Sequence, residues 1–208
     1  MRIIILLIPT IALAGGFGIS IFVGGNYQWY DLDISNIEAG DGFGYHLGVA
    51  LEKSLTPSRL PISLSTELDL AYYHTAYSWD VAQVGQTEVL ADLNLNSLYL
   101  PLCLKLNLNS PAFGFSLGAG GFMLHNFGGK GKWRIGSIIL ERDLEDDDLE
   151  TDFGLLLKVQ GSSKLAPMVF FYPSFNFRYN LTADNPDTET ADESEYGIEF
   201  RFGVGIEI

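Results

Sequence analysis

The sequence predicts an all-β protein, an eight-stranded antiparallel up-and-down transmembrane β-barrel. Three observations predict this fold class. Hydrophobic residues make up 47% of the 208 residues, whereas charged residues make up only 18%, compared with about 25% in a typical soluble domain. The first residues form an apolar stretch that is typical of an export signal. Eight later segments alternate between large apolar side chains and small or polar ones, which is typical of strands that face lipid on one side.

Residues 1–14 are predicted to be a secretory signal peptide. Arg2 precedes a mostly apolar stretch, and Ala12-Leu13-Ala14 has the small residues of a cleavage site. The stretch is shorter than the roughly 20 residues that a membrane-spanning helix needs. We therefore assign residues 15–208 to one outer-membrane β-barrel domain. The alternative interpretation of the first residues is an apolar first strand.

Eight runs with a period of two are predicted to be the strands. From Phe43 to Leu51 every second residue is large and apolar, and the residues between them are Gly, His, Gly and Ala. Small residues on the second face suit a narrow lumen, whereas a soluble sandwich or lipocalin, the alternative, would carry more Lys, Glu and Thr there. The runs are residues 17–24, 43–52, 64–73, 98–107, 113–124, 153–160, 171–180 and 197–208.

The connections between the runs alternate between long and short, as expected for external loops and periplasmic turns. Residues 133–140 either extend the fifth and sixth strands or form an extra hairpin, which would give ten strands. Aromatic residues that include Tyr27, Trp29, Tyr77 and Tyr172 are expected in interfacial belts. The long connections are residues 28–42, 74–91, 125–150 and 182–195, and the short ones are residues 54–61, 108–112 and 161–167.

Strand parity sends nine charged side chains into the lumen. An eight-stranded barrel is just wide enough inside for side chains, and buried charges are costly unless they pair. We expect an ion-pair network that plugs the lumen, and the alternative is a narrow gated ion path. Pro101, in the middle of a strand, is expected to mark a bulge or an edge. The nine residues are Glu52, Glu67, Asp69, Lys105, Lys158, Arg178, Glu199, Arg201 and Glu207.

Catalytic chemistry has little support in the sequence. The single cysteine, Cys103, excludes an internal disulfide and a thiolate-rich metal site. His46 is predicted to face the lumen, and His74 and His125 are predicted at strand ends near long loops. Ser20, Glu67 and Asp69 could partner a histidine, but no motif places them beside one, so no catalytic residue is assigned.

The chain is acidic, with 26 acidic and 12 basic residues and a formal charge of −14. This balance excludes a nucleic-acid binder, which needs a basic surface. Most of the acidic residues fall in the long connections, where they are expected to form solvated, repulsive loops. No cofactor is predicted, although these oxygen ligands would suit a divalent cation. The candidate ligands are Asp146, Asp147, Asp148, Asp184 and Asp187.

Six segments resemble the bacterial outer-membrane β-barrel family that includes the PorT-type proteins of Bacteroidetes, and more generally OmpA-like eight-stranded barrels. The resemblance implies an outer-membrane protein in contact with lipid, assembled by the barrel assembly machinery, with envelope or secretion proteins as partners. Such barrels usually end in Phe or Tyr, whereas this chain ends in Ile208. The segments are GFGYHLGVALEKSL, SLYLPLCLKLNL, FGFSLGAGGFM, DFGLLLKV, FNFRYNLT and EFRFGVGIEI.

The expected function is therefore non-enzymatic, namely envelope structure or binding through acidic extracellular loops. The family resemblance adds a second expectation, a PorT-like component of a protein secretion or assembly system. A third expectation is a soluble lipid-binding barrel, in which the apolar faces of the strands would point inward.

Overall fold

The described residues form nine antiparallel strands. The computed structural model describes residues 16–32, 40–57, 60–84, 87–110, 113–145, 149–182 and 193–208, so the predicted signal peptide lies outside the described residues. The strands are β1 (Phe17–Leu32), β2 (Asp41–Ser54), β3 (Ile62–Val84), β4 (Thr87–Asn109), β5 (Phe113–Ile135), β6 (Ile138–Asp143), β7 (Thr151–Ala166), β8 (Val169–Asn180) and β9 (Glu193–Glu207).

Eight of these strands close into a barrel. The sheet order is β4-β3-β2-β1-β9-β8-β7-β5-β6, and an additional β4–β5 pairing closes the ring. The first strand pairs with both β2 and β9, so the first and the last described strands are neighbours in the wall. These pairings confirm the predicted eight-stranded antiparallel barrel. The ninth strand, β6, pairs only with the upper part of β5 among the described residues, so the alternative of ten strands is wrong.

Two of the predicted long connections are largely strand. The β3 and β4 strands continue to Val84 and from Thr87, and β5 runs to Ile135 before a turn at Gly136, whose φ is 60°. Residues 133–140 therefore both lengthen β5 and begin β6. The sequence did not predict these extensions, because it was searched for alternating apolar residues. Strands outside the membrane are held by backbone hydrogen bonds and do not need an apolar face.

The outer surface of the barrel is apolar and the lumen is polar. Ile21, Leu47, Leu102 and Phe200 are all more than half exposed, and the inward residues that alternate with them are buried, as predicted. A polypeptide wall of this kind is stable in lipid because closure pairs its backbone groups. No helix among the described residues is long and apolar enough to cross a membrane.

Glycines on the inner face make room for large lumen side chains. A Cβ atom at Gly24 would collide with the His46 ring, and one at Gly154 would collide with the Phe122 ring. Both rings are buried in the lumen. The small residues that the alternation places inward therefore determine where the aromatic side chains can lie.

Pro101 interrupts one ladder without producing a bulge or an edge. The β3–β4 pairing passes from Leu68↔Leu102 to Ala71↔Tyr99 with no register shift, so the intervening pairs are skipped. The missing N–H of proline accounts for the gap. The expected bulge at Pro101 is wrong, since the β4 irregularities nearest to it lie at Asn96/Ser97 on the β5 side.

Placing arginine on the lipid face should destabilise the barrel. We expect Leu102→Arg and Phe200→Arg each to lower the free energy of unfolding by about 2–4 kcal/mol, because each places a charge in lipid. Ser116→Ala, on the lumen side, should change it far less. Urea unfolding in lipid vesicles, followed by gel mobility with and without heating, measures the difference. Equal effects at the three sites would contradict the assigned faces.

Candidate functional site

The lumen holds a continuous network of buried ion pairs. In its lower part, towards the short turns, the Lys105 ammonium lies 2.7 Å from carboxylate oxygens of both Glu52 and Glu67. The Lys158 ammonium contacts Glu67 as well and lies 3.9 Å from Asp69. Glu67, near the start of β3, thus receives one ammonium group from the adjacent strand β4 and one from β7.

The upper part of the network contains two arginines. The Arg201 guanidinium lies 2.5 Å from Asp69 and 2.7 Å from Glu199. Arg178 Nε lies 3.0 Å from the second oxygen of Glu199. Asp69 joins the two parts of the network, because it faces both Lys158 and Arg201.

Eight of the nine predicted charged lumen residues take part, and they are four acids and four bases. Their side chains are at most 4% exposed, apart from that of Glu52 at 26%. Such charges are tolerable in a dry lumen only when each has a partner of opposite sign. The equal numbers of acids and bases meet that requirement.

Glu207 is the one predicted network residue that lies elsewhere. Its side chain is exposed at the end of β9 and accepts a hydrogen bond of 2.8 Å from the Tyr172 hydroxyl. None of the ion pairs found in the described residues includes it. Parity places Glu207 on the inner side, but the strand ends there, so its carboxylate is at the mouth of the lumen.

Aromatic rings surround the two guanidinium groups. The Arg178 guanidinium lies 4.9 Å from the centre of the Tyr73 ring and 5.2 Å from that of Tyr99. Arg201 lies 4.6 Å from the centre of the Phe22 ring. Cation–π contacts of this kind strengthen when the cation is shielded from water. Strand parity alone could have placed these rings inward, but it gives no indication of which cation each would meet.

A polar layer above the arginines comes from residues that the sequence assigned to loops or belts. The Tyr77 hydroxyl donates to Glu195 at 3.2 Å, and Asn180 donates to the other Glu195 oxygen at 2.6 Å. The Gln28 amide satisfies both neighbours in one orientation. In it, the amide nitrogen donates to Glu195 Oε1 at 2.6 Å, and the amide oxygen accepts from Arg178 Nη2 at 2.5 Å. Tyr77 is 4% exposed, so its expected place in an interfacial belt is wrong. Tyr27 and Trp29, by contrast, pack together on the outer face.

The three histidines form no catalytic arrangement within the described part of the chain. His46 is buried between Tyr73, whose ring is stacked at 5.3 Å, and Phe22. His74 Nδ1 lies 3.0 Å from the Asn96 side-chain oxygen, and His125 Nδ1 lies 2.8 Å from the Thr151 hydroxyl. His74 and His125 lie within β3 and β5, not at strand ends as predicted. The hydrogen bonds of these histidines in the described residues include no carboxylate.

Metal binding is not supported by the part of the chain that the structure describes. No group of three His, Cys, Asp or Glu side chains there is placed to hold an ion. The candidate cation ligands, Asp146, Asp147, Asp148, Asp184 and Asp187, lie outside the described residues.

Comparisons with known proteins identify the fold. No protein-family profile and no curated protein matches the chain. Among solved structures, the outer membrane protein OprG from Pseudomonas aeruginosa has a TM-score of 0.50 and 12% identity, covering 94% of this chain and 97% of that one. A major outer membrane protein from Thermus thermophilus has a TM-score of 0.48 and 13% identity, covering 94% of this chain and 100% of that one. The shared fold is that of outer-membrane β-barrels.

The fold and the apolar exterior both support the predicted outer-membrane localisation. The exposed apolar belt requires lipid, and the charged lumen leaves little room for an apolar guest. The expectation of a soluble lipid-binding barrel therefore does not fit. Such a barrel has an apolar interior and a polar exterior, and this one has the reverse. At such low identities the comparisons show the fold alone, so the PorT-type resemblance still rests on its sequence segments.

Removing one buried charge should be much more costly than removing an exposed one. We expect Arg201→Met to lower the free energy of unfolding by about 3–5 kcal/mol, because Asp69 and Glu199 each lose a partner in a dry lumen. Lys130, which is 61% exposed and lies 3.5 Å from Asp143, is the control. Lys130→Met should cost about 0–1 kcal/mol. Similar losses in urea unfolding of both variants would contradict a dry, interdependent network.

The network should also close the lumen to ions. In planar lipid bilayers we expect the wild-type protein to give no steady conductance, because paired side chains fill the cross-section. The double variant Glu67→Ser, Lys105→Ser serves as the opened control and should conduct. Open-channel currents from the wild type, recorded under the same voltage and salt, would favour the gated ion path instead.

Proposed function

We propose that the protein is a non-enzymatic outer-membrane barrel that binds an extended polypeptide segment on the outside of the membrane. The observation that carries this proposal is a four-stranded extension of the barrel wall, here called the blade. It consists of residues 79–84, 87–96, 126–135 and 138–143, which belong to β3, β4, β5 and β6.

The blade stands beyond the neighbouring strands of the barrel. On one side, the β2–β3 pairing ends at Asp41↔Ser78. On the other side, the β5–β7 pairing ends at His125↔Thr151. The β4–β5 pairing continues to Val89↔Ile135. The outward contact between the Tyr72 and Phe127 rings lies at the base of the blade, where an interfacial aromatic belt is expected.

The two faces of the β5–β6 hairpin differ in character. Trp133 is opposite Leu140, and Ile135 is opposite Ile138, so these four share one face. They are between 37% and 59% exposed. The other face carries Lys130, Lys132 and Arg134 opposite Asp143, Glu141 and Ile139. An apolar face held outside the membrane is costly unless a partner covers it.

The last strand of the blade has an open edge. Within the described residues β6 pairs only with β5, and all six of its residues are exposed. The unpaired N–H and C=O groups of an exposed apolar edge are a template for another strand. A strand added there would bury Ile138 and Leu140 on the apolar face. It would also lie beside Glu141 and Asp143, whose contacts with Lys130 are exposed and long, at 3.8 and 3.5 Å. A segment with alternating apolar and basic residues would therefore complement it.

A role in a secretion or assembly system is the finer proposal, and the PorT-type resemblance supports it. In that case the segment added to β6 would belong to another component of the system. An enzyme is not proposed, because His46 is buried and, within the described residues, the hydrogen bonds of His74 and His125 include no carboxylate that would complete a catalytic triad.

Peptide selection on the protein in lipid nanodiscs tests the blade. We expect a random peptide library to yield extended sequences that alternate apolar and basic residues. Their affinity should fall at least about tenfold in the variant Ile138→Lys, Leu140→Lys, since two buried apolar contacts are lost. Leu165→Lys, at the opposite end of the barrel and 61% exposed, is the matched control. Peptides that bind the double variant equally well, or a selection that enriches none, would contradict the proposal.

A further inference from the structure

The end of the lumen beside the short turns is an open cavity. Its volume is about 430 Å³, which is within the range of small-molecule sites. Its inner end is at Glu52 and Lys105, the lowest members of the ion-pair network. Short turns mark the periplasmic side of outer-membrane barrels, so the cavity opens in that direction and the network closes it on the other.

Neutral hydrogen-bonding groups line much of this cavity. Three of them are already engaged, because Asn109 donates to Ser63 and Asn107 donates to Ser65 beside the cavity. Gln160 differs, since it is 6% exposed and makes no side-chain hydrogen bond with the other described residues. It lines this cavity and also a small adjoining one. Its amide therefore offers a donor and an acceptor to a molecule in the cavity. The neutral polar lining residues are Ser63, Asn107, Asn109, Ser116, Gln160 and Ser162.

Two aromatic rings stand at the mouth of the cavity. Phe170 and Tyr172 are stacked with ring centres 6.2 Å apart, and both line the cavity. They lie opposite Gly205 and Gly203 of β9, which is the inward side of that strand. The expected belt position of Tyr172 is therefore wrong.

The charged side chains around the cavity, Glu52, Lys105, Lys164 and Glu207, are equal in number for the two signs, and each is already engaged. Glu52 and Lys105 are paired with each other, and Glu207 accepts the Tyr172 hydroxyl hydrogen bond. The Lys164 ammonium lies 5.9 Å from the centre of the Phe170 ring. A charged ligand would compete with these contacts, whereas a neutral one would not.

We propose that this cavity binds a neutral, amide-bearing sugar. A sugar ring has an apolar C–H face, which suits the Phe170 and Tyr172 rings, and a hydroxyl edge, which suits the serines and asparagines. An acetamido group would pair its N–H and C=O with the Gln160 amide. An N-acetylated glycan is therefore the class of ligand that the lining favours, either as a free saccharide or as the end of a polymer.

Calorimetric titration of the full chain in nanodiscs tests this proposal, with N,N′-diacetylchitobiose as the probe. We expect saturable binding that is about tenfold weaker in Gln160→Leu, because one polar partner of the acetamido group is lost. Cellobiose, which lacks the acetamido groups, should bind the wild type more weakly. Asn94→Leu removes an amide from the blade and should leave the affinity unchanged. Absence of binding, or unchanged affinity in Gln160→Leu, would overturn the proposal.

Folding of each variant is verified by the mobility difference between heated and unheated samples. If Gln160→Leu does not fold, the double variant Ser116→Ala, Ser162→Ala replaces it, and it should also weaken binding. Sedimentation with insoluble peptidoglycan then distinguishes a free saccharide from the end of a glycan polymer as the ligand. Only a site that binds the polymer would carry the protein into the pellet. The blade variant Ile138→Lys, Leu140→Lys should bind the disaccharide normally, so failure of the blade proposal and failure of this one remain distinguishable.

Discussion

The pairing of buried charges in the lumen is the constraint on which the rest of the structure depends. Glu67 and Asp69 lie on β3, but Lys105, Lys158 and Arg201 reach them from β4, β7 and β9. The network therefore ties together strands that are not neighbours in the wall. A slip of one residue in any of them would turn its charge towards lipid. The ion pairs thus fix the register of the barrel as well as fill its interior.

The same network separates the protein into two ends that can act independently. Below it lies the polar cavity that ends at Glu52 and Lys105. Aromatic rings surround its two arginines, and above them lie the layer around Glu195 and then the blade. The cavity and the blade share no residue, and a barrel wall of paired strands is stiff between them. While the ion pairs are intact, binding at the cavity is therefore expected to leave the affinity of the blade unchanged, and the reverse.

The sequence predicted the parts of the strands that lie between lipid and lumen, but not their extensions outside the membrane. The alternation of apolar and polar residues placed Lys105 and Arg201 correctly, because a membrane barrel makes its two faces chemically different. The upper halves of β3 and β4 lack that contrast, since water lies on both sides, and they were assigned to loops. Gln28 and Glu195 are buried, and they were missed because β1 and β9 extend beyond the predicted runs of residues 17–24 and 197–208. Parity also cannot tell that Asp69 meets Arg201, 132 residues away, because that pairing depends on the stagger of the closed barrel.

Charge is distributed unevenly between the interior and the exterior. The lumen network contains four acids and four bases, so the formal charge of −14 belongs to the remainder of the chain. Part of it lies at the blade end, where Glu141 and Asp143 belong to β6 and Glu145 and Glu150 follow that strand among the described residues. A negative field raises the encounter rate with basic segments and repels acidic ones, as the binding proposed for the blade requires. The barrel keeps its interior neutral, and its net charge lies outside the lumen network.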